Sequence, residues 1–165
     1  MKIHMWTNSD CRGLRFYKLS KQYKISNHVR HRSLQFYHIN QMIHAMLEPN
    51  NKPEVHVLIL TNEDVSVSNN VTAYAIELCR KVSILKKHLI FVCIDLLKGK
   101  NFFIKLVKRQ IRKVADEDNF AHLLHDVGQD LRSGDFISRS RLTLPASKRI
   151  EDEINLIVED AIRYM

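Results

Sequence analysis

Apolar residues along this chain fall into two kinds of pattern, short unbroken runs and stripes stepping by three and four. Val55–Leu60 is a nearly continuous branched run between Pro53 and the polar TNED segment, and Leu89–Ile94 is a second such run ending at Asp95. Runs of this length and composition suit strands covered on both faces. Lys2–Thr7 predicts a shorter strand, and LRFYKL at 14–19 a partner that would pair with it as a hairpin across the polar turn NSDCRG. The following KQYKISNHVRHR is polar and basic and reads as a loop or arm.

Stripes at helical spacing predict the remaining elements. Phe36, Ile39, Ile43 and Met46 place a helix over roughly 34–47, which Pro49 stops. Ser68 or Asn69 can cap a helix carrying Val71, Ala75, Leu78, Val82 and Leu85. Residues 100–115 put Phe103, Leu106, Val107, Ile111 and Val114 on one arc and Lys105, Lys108, Arg109, Arg112 and Lys113 on the opposite one. Phe120, Leu123, Leu124, Val127 and Leu131 predict a helix over 119–132, closed near Gly134, and Ile150, Ile154, Ile157 and Ala161 one over 147–164.

A helix between two buried-type strands implies a parallel pair with a right-handed crossover. The expected fold is therefore α/β, with a small, mainly parallel sheet of strands near 2–7, 54–61 and 88–95, flanked by helices and followed by a helical C-terminal third. With 165 residues, 45% hydrophobic and 27% charged, the chain fits one domain over 1–165. Within it, 8–32 is expected to form a basic arm or hairpin and 118–165 a helical extension.

Charge changes the picture more than composition does. The net charge of +8 and pI near 9.5 conceal a partition. Residues 1–53 carry nine Lys/Arg against two Asp/Glu, 98–115 carry seven against none, and 116–165 carry six against eleven. Surfaces of this sign attract phosphate polymers or acidic proteins. Arg12, Arg15, Lys18, Lys21 and Lys24 interleave with Phe16, Tyr17 and Tyr23, a pattern able to track phosphates while aromatic rings stack on unpaired bases. Residues 98–115 contain no acidic group to balance Lys105, Lys108, Arg109, Arg112 and Lys113 locally, so these cations need an external anion or the acidic C-terminal helix.

Three cysteines without a CxxC spacing suggest neither a disulfide framework nor a cysteine zinc site. The opening MKIHMWTNSD lacks a signal-peptide pattern and no apolar run is long enough to span a bilayer, so the expectation is a soluble intracellular protein, cytoplasmic or nuclear. The glycine patterns GxxxxGK[ST], GxGxxG and GxSxG are absent. P-loop, dinucleotide and serine-hydrolase readings thus lack their required turns.

Candidate chemistry centres on acidic residues just beyond the proposed strands. Asp10, Asp64 (with Glu63 beside it) and Asp95 would meet at the carboxyl edge of a parallel sheet, where they could hold Mg²⁺ or Mn²⁺ and activate water against a phosphodiester. The thirteen residues VLILTNEDVSVSN resemble the late strand of PIN-domain nucleases, in which an apolar strand ends in Thr-Asn-Asp or Thr-Asp-Asp. A second local resemblance, AHLLHDVG at 121–128, is similar to the His-Asp doublet of HD-type metal phosphohydrolases and would make His122, His125 and Asp126 metal ligands. The leading expectation is a basic protein that binds RNA or single-stranded DNA, with metal-dependent nuclease chemistry at Asp10, Asp64 and Asp95. The alternatives are a noncatalytic subunit that docks an acidic protein partner, and a metal-dependent phosphohydrolase.

Overall fold

Strand β1 (Lys2–Asn8) opens a five-stranded sheet and lies second from one edge. The computed structural model describes residues 1–30, 35–47, 54–62, 89–96 and 124–163, with single positions at 80, 98, 105, 109, 112 and 113. Around β1 are β2 (Lys24–Arg30), β3 (Glu54–Leu60), β4 (Leu89–Ile94) and β5 (Leu124–Val127), all parallel in the order β2-β1-β3-β4-β5. The described helices are α1 (Tyr17–Ser20), α2 (Gln35–Leu47) and α3 (Leu144–Arg163). The α/β class and the parallel sheet follow the expectation from the buried-type runs.

Side chains alternate across the sheet, and both faces are buried. On one face Ile3, Met5, Val55, Val57, Ile59, Ile90, Val92, Ile94 and Val127 form a single core with Leu14, Phe16 and Leu19, which follow β1, and with Ile150, Ile154 and Val158 of α3. Burying each such aliphatic side chain contributes roughly 1.5–3 kcal/mol, so apolar contact holds α3 in place. The opposite face carries His4 and Trp6 of β1, His56, Leu58 and Leu60 of β3, and Leu89, Phe91 and Cys93 of β4, all buried.

Three elements differ from the expectation. Residues 14–19 do not form a strand paired as a hairpin with β1. Leu14 and Phe16 dip into the core, Phe16 adopts φ +52°, and one helical turn follows. The partner of β1 is instead the polar segment expected to be an arm, since β2 pairs from Lys2↔Lys24 to Asn8↔Arg30. An edge strand needs only one buried face and is protected by terminal cations, which disguises its sequence as a loop.

The third difference lies in 119–132. Leu124–Val127 is a strand on the far edge, and Gly128 ends it at φ +75°. Four residues are too few for period two to show against the surrounding leucines, and the pairing with β4 that decides the matter is remote in sequence. The last helix begins at Leu144, three residues before the expected start. Most of the helix expected after Ser68 or Asn69 and most of that over 100–115 lie outside the described residues; of the first Arg80, and of the second Lys105, Arg109, Arg112 and Lys113, are helical and exposed. No helix among the described residues is long and apolar enough to cross a membrane.

Candidate functional site

The strand order reverses between β1 and β3: the chain leaves β1 towards β2 on one side, then returns to build β3, β4 and β5 on the other. In open α/β sheets ligands bind in the crevice outside the carboxyl ends of the strands at such a point. Here the crevice is bounded by Asn8 at the end of β1 with Ser9 and Asp10 after it, Thr61 and Asn62 after β3, and Asp95 after β4.

A hydrogen-bond chain ties the β1 and β3 ends together. Asn8 leaves β1 in an extended conformation and caps the short turn Ser9–Cys11, its Oδ1 accepting from the Asp10 backbone N–H at 3.1 Å. Asn8 Nδ2 donates to Thr61 Oγ1 at 2.8 Å, and that hydroxyl donates in turn to Asp10 Oδ2 at 2.7 Å. The Asp10 carboxylate is thereby held, half-buried, over the switch point. Across it, Asn62 Nδ2 donates to Asp95 Oδ1 at 2.9 Å.

Two acceptors in this second pair are left over. Asn62 and Asp95 are only 8% and 6% exposed, yet Asn62 Oδ1 and Asp95 Oδ2 have no hydrogen-bond partner. Turning the amide over would set its oxygen against the carboxylate, so the bond to Asp95 fixes which end of Asn62 is left as the unpartnered acceptor. Buried polar atoms are nearly always paired, and an orphan carboxylate oxygen is costly. Both unpartnered atoms are acceptors and one belongs to a carboxylate, so this pair suits a cation rather than an oxyanion.

Of the expected acidic trio, the structure brings Asp10 and Asp95 to the same edge on either side of Thr61-Asn62, while Asp64 lies outside the described residues. Asn8, Thr61 and Asn62 are the site residues that charge-based reading passes over. The run TNED was visible, but only the sheet order shows that its first two residues face the end of β1. The loop before α3 also comes to this edge, since the Lys98 backbone N–H donates to the Arg139 carbonyl at 2.6 Å, three residues beyond Asp95. That loop adds the exposed Arg139 and Arg141.

His125 and Asp126 are consecutive residues of a strand and so point to opposite faces of the sheet; His122 lies outside the described residues. Asp126 is engaged by the guanidinium of Arg112. That pair gives the cationic helix an acidic neighbour on β5. Three acidic groups of α3 have partners other than that helix: Glu151 accepts from the Arg15 backbone N–H, Glu153 from that of Gly128, and Asp160 pairs with Arg163.

The N-terminal cations Arg12, Arg15, Lys18, Lys21 and Lys24 are all exposed. Of the aromatics among them, Phe16 is core, Tyr23 packs against the core, and Tyr17, 66% exposed, stays open to a stacking partner. Lys108 lies outside the described residues.

A second polar cluster, unforeseen from the sequence, occupies the amino-terminal half of the β1–β2–β3 face. His4 stacks on His56 at 4.4 Å between ring centroids and 4° between planes, and Trp6 stacks on His28 at 3.9 Å. The signal was present as His4-x-Trp6 and Glu54-x-His56, since a two-residue step on a strand sets both members on one face. Burial is the largest influence on His4 and holds its pKa below the usual imidazole value, with Lys2 adding to the effect and Glu54 opposing it.

No family model matches this chain, and no curated protein matches it in sequence. Its fold is similar to that of a solved structure described as a member of the lipolytic protein G-D-S-L family from Veillonella parvula DSM 2008, with a TM-score of 0.65 and 11% identity over 94% of this chain and 97% of the other. The likeness is one of fold alone: a small α/β domain with a five-stranded parallel sheet and a C-terminal helix.

Proposed function

We propose that this protein binds a hard divalent cation, Mg²⁺ or Mn²⁺, at the carboxyl edge of its sheet and uses it to engage the phosphates of RNA or single-stranded DNA, with phosphodiester hydrolysis as the reaction such a site serves. The observation that carries this reading is the pair of buried, unpartnered acceptors Asn62 Oδ1 and Asp95 Oδ2, on residues that follow β3 and β4 at the sheet edge where Asp10 also lies. Oxygen donors of this kind suit Mg²⁺ and Mn²⁺. Bound there, the cation would neutralise phosphate charge and lower the pKa of an attacking water. Exposed Arg12, directly after the turn that ends β1, and exposed Arg139, whose carbonyl meets the segment three residues past Asp95, supply cations for the rest of the strand.

The test is Mn²⁺ binding by electron paramagnetic resonance, paired with cleavage of labelled single-stranded RNA and DNA with and without chelator. Asp95→Asn is expected to weaken Mn²⁺ binding at least tenfold while raising the unfolding midpoint. It removes a buried charge and places an amide donor beside the orphan Asn62 oxygen. Undiminished Mn²⁺ binding in Asp95→Asn, or a wild type that binds no Mn²⁺, overturns the cation site. Cleavage that survives chelation overturns the metal-dependent reaction.

A second reading, ester hydrolysis by Ser9, is favoured by the fold likeness and by the place of Ser9 directly after β1. It is the weaker of the two. The chain contains no Gly-Asp-Ser-Leu run, residues 128–165 contain no histidine, and Asn62 offers an oxygen where an oxyanion requires a donor. Hydrolysis of a p-nitrophenyl ester that is lost in Ser9→Ala would favour it over the phosphodiester reading.

A further inference from the structure

The histidine cluster on the buried face lies away from the carboxyl edge and has no part in the reading above. His4 Nε2 stands 3.1 Å and His56 Nε2 3.7 Å from the same oxygen, Glu54 Oε2. One nitrogen from each imidazole and one carboxylate oxygen all lie within 4.8 Å of one another. Donors around one tetrahedral zinc ion sit about 3.4 Å apart for bond lengths near 2.1 Å, and the two observed separations bracket that value. His4 and His56 are 7% and 2% exposed, whereas Glu54 is partly exposed at the start of β3 and provides the way in.

We infer that His4, Glu54 and His56 form a binding site for a borderline transition metal ion such as Zn²⁺ or Co²⁺, and that occupancy of the site displaces Trp6. Two imidazoles with one carboxylate are a donor set these ions favour, and three protein ligands leave one position open. The coupling to Trp6 follows from proton positions. An indole N–H only donates, so the 3.1 Å bond from Trp6 Nε1 to His56 Nδ1 uses the lone pair of that nitrogen and places the ring proton on Nε2. A metal at Nε2 moves that proton to Nδ1, where it opposes the indole N–H, and Trp6 must withdraw.

His4 needs no such rearrangement of its surroundings. Its Nδ1 already lies 3.0 Å from His28 Nε2, so with Nε2 on the metal it donates to His28, whose own proton shifts to Nδ1. A ligand histidine normally makes this kind of outer contact. No proton is gained or lost in the exchange; each ring changes tautomer.

The experiment uses the full chain without a histidine tag, stripped by chelator, with Co²⁺ followed by its ligand-field absorption and Zn²⁺ by the emission of Trp6, the sole tryptophan. One equivalent is expected to bind with micromolar or tighter affinity, and emission should change in step with occupancy. Glu54→Gln and His4→Gln should each weaken binding at least tenfold, Trp6→Phe should tighten it several-fold, and Asp95→Asn should leave it unchanged. Circular dichroism and the unfolding midpoint identify folded variants, and the near-isosteric, partly exposed Glu54→Gln decides the case if His4→Gln fails to fold. Absence of a saturable Co²⁺ band, unchanged affinity in Glu54→Gln, or loss of binding in Asp95→Asn overturns the site. Unchanged affinity in Trp6→Phe overturns the coupling.

Discussion

At the scale of single residues, the molecule places polar groups where apolar ones would pack more cheaply, at both ends of its central strands. Thr61 shows how economically one does so: its hydroxyl accepts from Asn8 and donates to Asp10, joining two strand ends through one oxygen. His4 shows the opposite case, an imidazole whose neutral form burial favours. Because its pKa is lower in the folded state than the usual value of about 6.5, the unfolded chain binds the proton first as pH falls. The stability tied to His4 is complete above that value and declines below it, through the folded pKa. Urea unfolding midpoints should therefore fall between pH 7.5 and 5.5, and His4→Gln should flatten the decline. An equal decline in the variant would remove His4 as its source.

At the scale of elements, the two edge strands are the informative ones. Both pair with a single neighbour, and each depends on a contact that local sequence does not contain: β2 on its register with β1, and β5 on β4 and on the passage of α3 beneath its end. Gly128 marks that passage. At φ +75° a side chain is strained, and an added Cβ would stand 2.7 Å from Ile150 Cδ1 of α3 and 3.1 Å from Leu131 Cδ1. Gly128→Ala should cost about 2–4 kcal/mol from backbone strain and overpacking together, measured by denaturant unfolding. A cost below 0.5 kcal/mol would mean that α3 shifts freely on the sheet. The stripe of Ile150, Ile154, Ile157 and Ala161 made α3 legible, whereas the same spacing misled at 119–132, where leucines at three- and four-residue steps belong partly to a strand.

At the scale of the whole molecule, the basic residues separate into two regions. Arg12 to Lys24 accompany the connection that covers the α3 side of the sheet. Arg112 instead reaches Asp126, which shares the Cys93 face on the other side. The first region leaves the carboxyl edge at Arg12 and reaches the amino end of β2 at Lys24, so its first residues are the ones expected to guide a nucleic acid strand to Asp10 and Asp95. If so, Arg12→Gln with Arg15→Gln should make the plot of log affinity against log salt shallower by about 1.4 for a single strand, since each lost phosphate contact changes the slope by roughly 0.7. Lys105→Gln with Arg109→Gln should leave that slope unchanged. The reverse result would move the nucleic acid to the opposite face.

The sequence by itself determined the α/β class, the buried strands β3 and β4, the α2 and α3 stripes, and the position of Asp10 and Asp95 just past strand ends. Each of these rests on hydrophobic period or run length, which local burial imposes on every element that faces a core. What only the tertiary structure decided is which ends lie side by side. The order β2-β1-β3-β4-β5 sets Asn8 against Thr61 and Asn62 against Asp95, although those pairs are 53 and 33 residues apart. It likewise brings Glu54 and His56 to His4. Pairing between parallel strands is a long-range choice made through backbone hydrogen bonds that every residue can form, and so it leaves no mark on the side-chain pattern of either strand.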